Sequence, residues 1–462
     1  MGYGKSGQSA VRLLLREEAV VTVTDRRKEE EIGAAAESAG SPFKAYYGGH
    51  PEGAFRSAEL IVVSPGVRVG DIPELEAAAA RGVPVIGEVE LAYGFLDSPI
   101  IAVTGSNGKS TTTVLTAEIL KKAGKRVFAG GNLGRPLCDA VTESESGSGE
   151  GSWDWVVAEL SSFQLETIRD FHPRVAVLLN ISPNHLDRYS ALEEYGEAKW
   201  RLFENQSPSD WAVINADDPL LFKRAGGLAP GRIFFGCRTH PAGGVYLESG
   251  WVVSEWTGLS GGKTKVLPKK DIRLLGDHNL ENVLAASAAG MAAGCPPESV
   301  RAAVAAFQGL EHRLEPVRRI GDVLFVNDSK ATTVSALGRA LESFESPVIL
   351  IAGGRSKGGA FEEIRGLLAK KARAVILIGE AREVLNRSWE GTTRLVSAAD
   401  LNDAVNQAAA LSRPGDVVLL SPACASFDMF RDFSDRGSRF KEAVNRLDGE
   451  SVPLSGDLSG DA

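Results

Sequence analysis

Short runs of Val, Ile and Leu alternate with longer amphipathic segments along most of this chain. That alternation calls for strands joined by crossover helices, so parallel sheets built from repeated βαβ units are expected. At 462 residues the chain is too long for one hydrophobic core, and about three domains are expected. Residues 1–92 read as a first α/β domain, 93–309 as a central domain and 310–462 as a third with a frayed tail. The polar stretch TESESGSGEGS at 142–152 reads as a solvated loop. No internal repeat is visible.

The bulk chemistry excludes several classes. A formal charge of −9 with no long basic stretch argues against nucleic-acid binding. Four scattered cysteines form no CxxC pair, which argues against a zinc site or disulfide framework and fits a reducing cytoplasm. No apolar run approaches the roughly 20 residues of a membrane span, and no secretory signal is visible. A cytoplasmic monomer with no membrane or nucleic-acid partner is expected.

The stretch IIAVTGSNGKSTTTVLTAEILKKAG carries the most chemistry. An apolar strand runs into Gly105, Ser106, Asn107, Gly108, Lys109 and Ser110, then into a helical pattern through Thr111. Glycines let main-chain N–H groups wrap phosphate oxygens, and the helix N-terminus adds positive potential. Lys109 would neutralise phosphate charge and the Ser110 hydroxyl would ligate magnesium. The GxxxxGK[ST] spacing is not strict, because Val103 stands where the first glycine belongs. ATP is the expected ligand.

Two further strand ends carry candidate magnesium ligands. VVAELSSFQLE places Glu159 there, and LLNISPNHLDRY places His185, with Asn180 as a further polar residue at that strand end. At the N-terminus GYGKSG fits GxGxxG, with Asp25 ending a strand about 20 residues on, as in a dinucleotide fingerprint. The strand that should precede this loop is absent, and an upstream in-frame β-forming stretch is expected. FVNDSKATT offers Asp328, Ser329, Lys330 and Thr332 at an expected helix start, one cation with hydroxyls that suit a small dicarboxylic amino acid.

TGSNGKS resembles the ATP loop of the Mur ligases and the folylpolyglutamate synthases. ELSSFQLE, NISPNHLDRY, EAKWRLFEN, the asparagines around residues 279–282 and SPACASFDMFRDFSDRGSRF extend the resemblance to Mur ligases over nearly the whole chain. The resemblance implies an α/β protein with a Rossmann-like N-terminal domain, a central P-loop ATPase-type domain on a parallel sheet and a Rossmann-like C-terminal domain. It implies amide-bond formation through an acyl phosphate, with ATP, two magnesium ions and a lysine carbamylated by carbon dioxide. Lys199 matches that lysine; on residue chemistry alone it would be a solvated helix lysine. Metal binding carries over to Ser110, Glu159 and His185, and ATP contacts to Asn279, Asn282 and Arg313.

The first domain of such enzymes holds a uridine diphosphate portion. The matching positions are Lys5, Ser6, Asp25, Arg27, Ser64, Pro65 and Gly66, with Asn132 near the phosphates. Asp328, Ser329, Lys330, Thr332, Ser426 and Phe433 match members that add D-glutamate to UDP-N-acetylmuramoyl-L-alanine, and Phe427 neighbours them. Lys357, in a loop that also carries Arg355, and His312 at a hinge are open positions. A nucleotide-driven switch, a folylpolyglutamate synthase and an oxidoreductase resting on GxGxxG are the alternatives.

Overall fold

The computed structural model describes residues 1–32, 43–146, 152–183, 188–256, 258, 262–356, 358–449 and 451–452. His185 and Lys357 lie outside the described residues, as does the tail from 453. The chain divides into two compact units, Met1–Lys269 with Glu281–Val304 and Lys270–Leu280 with Ala305–Ala462.

The first unit begins with two small parallel pairs. β1 (Thr22–Asp25) pairs with β2 (Lys44–Tyr47), and β3 (Ile61–Val63) pairs with β4 (Val85–Gly87). Met1 and Gly2 run between them: Gly2 N donates to Thr24 O at 2.8 Å, and Ser64 N donates to Met1 O at 3.0 Å. The helix Lys5–Arg16 follows directly.

The rest of this unit is a nine-stranded sheet. Its strands are β5 (Ile100–Thr104), β6 (Val127–Gly131), β7 (Trp155–Glu159), β8 (Val175–Leu178), β9 (Trp211–Asn215), β10 (Gly231–Gly236), β11 (Val245–Glu248), β12 (Trp251–Ser254) and β13 (Thr264–Pro268). The order is β13-β12-β11-β10-β9-β8-β5-β7-β6. β6 through β11 pair in parallel across β5, and the last two strands turn antiparallel. Every residue of β5 is buried, which explains its unbroken apolar run; each such Ile or Val contributes about 1.5–3 kcal/mol on leaving water. β5 has β7 on one side and β8 on the other, so its C-terminal end sits where the chain reverses its direction of travel across the sheet. Such a point opens the crevice that α/β sheets use for ligands.

The second unit is a seven-stranded sheet, order β18-β17-β16-β19-β15-β14-β20. Here β14 is Glu315–Ile320, β15 Val323–Asn327, β16 Val348–Gly353, β17 Ala372–Ile378, β18 Arg394–Ser397, β19 Val417–Leu420 and β20 Ser451–Val452. β15, β16, β17 and β19 carry the apolar runs of this part and form its buried centre. The stretch expected as a solvated loop at 142–152 is helical in its first part, since the helix Leu137–Ser146 continues into it. Among the described residues, no helix is long and apolar enough to cross a membrane.

Candidate active site

The loop after β5 is held from below by the chain leaving β8. Ser106 N donates to Asn180 O at 2.9 Å. Asn107 N donates to Asn180 Oδ1 at 3.0 Å, and Asn180 Nδ2 returns a bond to Asn107 O at 3.3 Å. Ser106 Oγ accepts from Ser182 N at 2.8 Å. Asn180, placed by the sequence at the strand end that precedes His185, has its amide committed to the loop's main chain. Gly105 and Gly108 take φ of 153° and 83°, a region open to glycine and costly for other residues. A side chain at 108 would also collide with Asn282 Oδ1. Lys109 opens the helix Lys109–Lys122 and donates Nζ to the carbonyls of Gly105 and Ser106 at 2.9 and 3.1 Å. Ser110 and Thr111 are buried in the first turn. Asn282 accepts from Thr112 Oγ1 at 3.4 Å. In the second unit, Asn279 donates to Leu275 O at 2.7 Å.

Glu159 ends β7 beside this loop and is 2% exposed. Asn132 Nδ2 donates to its Oε1 at 2.8 Å, while Oε2 is buried with no hydrogen-bond partner. A lone buried carboxylate oxygen is costly unless something else fills it. A divalent cation fits that need, because hard cations take carboxylate oxygens.

Lys199 is 1% exposed, so the solvated helix lysine read from residue chemistry is corrected. The helix Leu192–Trp200 turns Tyr195, Ala198 and Lys199 inward, and Lys199 Nζ sits 4.5 Å from the Tyr195 ring centroid. Burial, helped by the like charge of Lys109 and opposed by Glu159, holds its pKa well below the usual lysine range.

In the N-terminal part, Asp25 faces the glycine loop and accepts from Tyr3 N at 2.6 Å. Arg27 folds back onto Asp25, with Nη2 to Oδ2 at 2.8 Å. Burial opposes ionisation of Asp25, yet Arg27 and the Tyr3 and Arg27 main-chain N–H groups hold its carboxyl well below the usual range. Ser64 Oγ donates to Gly2 O at 3.1 Å. Lys5 is exposed and Ser6 half-buried at the helix start, and Pro65 is half-buried beside Gly66. A cleft of about 460 Å³ runs here, lined by Asp25, Gly66, Arg26, His50, Arg68, Phe163 and Arg188 among others. The last five were missed in the sequence. Arg26, rather than Arg27, lines the cleft, a difference that neighbouring positions do not signal.

In the second unit, Ser329, Lys330 and Phe433 come together. Ser329 Oγ donates to Phe433 O at 2.7 Å, and Lys330 Nζ lies 5.3 Å from the Phe433 ring centroid. Arg436, also missed, is fully buried and organises this loop: its Nε donates to Ser329 Oγ at 3.0 Å, Nη2 to Ser329 O at 2.8 Å and Nη1 to Cys424 O at 3.1 Å. Thr332 N donates to Lys330 O, and Ser426 is buried, whereas Phe427 is 60% exposed. Asp328 points inward, accepting from Ser421 Oγ at 2.8 Å and Leu314 N at 3.2 Å. Burial pushes its carboxyl up to about 7. Arg313 lies between His312 and Leu314, whose φ values are 64° and 41°. The His312 ring spans Asn327 and Ser434, at 2.9 and 3.0 Å. Arg355 pairs with Glu380 through two bonds of 2.9 and 3.0 Å.

A braced glycine loop at the head of a helix and an open buried carboxylate at the neighbouring strand end define an α/β protein with a phosphate-loop site. The domain models agree. Residues 1–87 match the Mur ligase MurD-like N-terminal domain, 103–290 the Mur ligase middle domain and 312–424 the Mur ligase glutamate ligase domain. The UDP-N-acetylmuramoylalanine–D-glutamate ligase of Geobacter metallireducens is 44% identical over 448 residues, covering 97% of this chain and 96% of that protein. That of Geotalea uraniireducens is 43% identical, covering 97% of each. A pseudomurein peptide ligase type C from Methanothermus fervidus shares the fold, with a TM-score of 0.59 and 18% identity over 96% of this chain and 97% of that one. The chain belongs to the Mur ligase family.

Proposed function

We propose that this chain is an ATP-dependent ligase that adds D-glutamate to UDP-N-acetylmuramoyl-L-alanine, a step in making peptidoglycan precursors. The observation that carries the reading is the 44% identity over 97% of the chain to a relative bearing that activity in its name. The braced loop at β5 and the open Glu159 oxygen supply matching chemistry.

In this reading the alanyl carboxylate attacks the γ-phosphorus of ATP, a carbon–oxygen–phosphorus link forms and ADP leaves. Lys109 and the loop's N–H groups offset the negative charge that gathers on the phosphates. The D-glutamate amine then attacks the acyl carbon, a proton is lost from nitrogen, and phosphate departs as the amide forms. Glu159, Ser110 and Lys199 would hold magnesium, with His185 the fourth candidate. Bound magnesium supplies charge neutralisation at the phosphates. Burial lowers the pKa of Lys199 and so favours the neutral amine, the form that adds to carbon dioxide to give an anionic carbamate. Lys330, with Ser426 and Phe433, would receive D-glutamate, and Asn132 and the cleft at Gly66 the UDP portion.

The test is phosphate release with each substrate left out in turn. Release should require ATP, the UDP-sugar peptide and D-glutamate together, with L-glutamate ineffective. Release that is indifferent to D-glutamate would overturn the reading.

A further inference from the structure

Glu166 has no assigned part in the reaction, yet several segments converge on it. It follows the short helix Ser162–Leu165 downstream of Glu159. Its Oε1 accepts from Arg188 Nε at 3.1 Å and from the Tyr189 hydroxyl, and its Oε2 accepts from Arg188 Nη2. The Arg188 guanidinium stacks 4.3 Å from the Phe163 ring centroid, and its side chain is 11% exposed. Tyr189 in turn packs on Tyr195 at 5.3 Å between centroids, and Tyr195 carries Lys199 Nζ on its ring. On the other side, the Arg188 carbonyl accepts from Arg68 Nη2. Arg68, Phe163 and Arg188 all line the cleft beside Gly66.

A solvated ion pair would contribute little. This one is forked, shielded and extended by a hydroxyl, a ring and a main-chain carbonyl that accepts from Arg68, so it fixes orientation as well as charge. Its contacts join the cleft wall to the segments that carry Glu159 and Lys199.

We propose that Glu166 and Arg188 form a positioning latch, tied to the cleft through Arg68, that holds the wall of the UDP-side cleft and the Glu159 and Lys199 segments in one register. The latch touches no reacting atom, and its proposed consequence rests on the ligase reading above. Disturbing it should therefore change UDP-substrate affinity and the magnesium requirement together.

The experiment uses the full chain. Wild-type protein is first assayed for phosphate release dependent on all three substrates; failure there is failure of the ligase reading and not of the latch. Glu166→Gln and Arg188→Ala are then expected to raise both the KM for the UDP substrate and the half-saturating magnesium concentration about ten-fold or more. The KM for D-glutamate should stay within about two-fold. Arg188→Lys, which keeps the charge and loses the fork, should remain impaired in both. Arg68→Ala should raise the KM for the UDP substrate with a smaller change in magnesium requirement. A lowered Tm with an unchanged magnesium requirement would show that the pair only stabilises the fold, and would overturn the proposal. Should Arg188→Ala not fold, Glu166→Gln and Arg68→Ala read the same two parameters and decide the matter.

Discussion

Asn132 donates to one carboxylate oxygen of Glu159 at 2.8 Å, while the other oxygen of that carboxylate is buried with no partner. The amide fixes the carboxylate's plane and leaves one acceptor for a cation. Asn132→Ala is expected to raise the magnesium concentration needed for half-maximal rate about 10- to 100-fold. Glu159→Gln should do at least as much, since it removes the charge. Magnesium titrations of turnover that match wild type in both variants would rule this out.

Gly108 precedes Lys109 with φ of 83° and faces Asn282. Gly108→Ala should lose about 1–2 kcal/mol from the backbone conformation alone, with a further loss as Asn282 is displaced. The expected readout is a lower Tm and ATP binding weakened at least about ten-fold, measured by calorimetry. Lys109→Ala should keep the fold and lose acyl-phosphate formation.

Lys199→Arg tests the carbamate. A guanidinium stays charged at any working pH and cannot add carbon dioxide. Turnover should fall by about two orders of magnitude or more. Wild-type protein in isotopically labelled bicarbonate should show a carbamate carbonyl signal by NMR, and the variant should show none. A variant with wild-type turnover would remove the carbamate from the mechanism.

Asp328 gives a pH dependence with a definite sign. Burial raises its carboxyl to about 7 in the fold, well above the ordinary aspartate range, so the folded state binds the proton more tightly. The stabilisation is full below about pH 4 and is lost as pH rises through about 7, at no more than about 1.4 kcal/mol per pH unit. Asp328→Asn removes that slope. The Tm of the variant relative to wild type should therefore climb between pH 5 and pH 8. A constant difference would contradict the assignment.

What could be read in the sequence was chemistry that lies contiguous in the chain. Gly105 to Ser110 carry their strand, loop and helix in one stretch, so the phosphate loop was legible. Glu159 was legible because a strand end positions it. The bracing role of Asn180, and Arg436 and Glu166 altogether, were not, because their partners are remote: Asn180 acts on Asn107, Arg436 on Ser329 and Glu166 on Arg188. Lys199 shows the limit from the other side. Nothing local says that the helix Leu192–Trp200 turns that lysine into the interior, and only the family resemblance picked it out. The strands β10 to β13 were also not foreseen: they extend one edge of the sheet, β10 and β11 in parallel and β12 and β13 antiparallel, and lack the long apolar runs of β5 and β16.

The second unit is assembled from two stretches of chain, 270–280 and the part from 305 onward. Leu275, from the first stretch, is buried in the same core as Leu314, Leu324, Val326 and Leu341. An exchange of this unit between relatives with a single splice near 305 would thus leave Leu275 behind with the donor of the first unit. Chimeras should be cut at 269 and rejoined after 280 as well, so that recipient and graft each keep a matched interior.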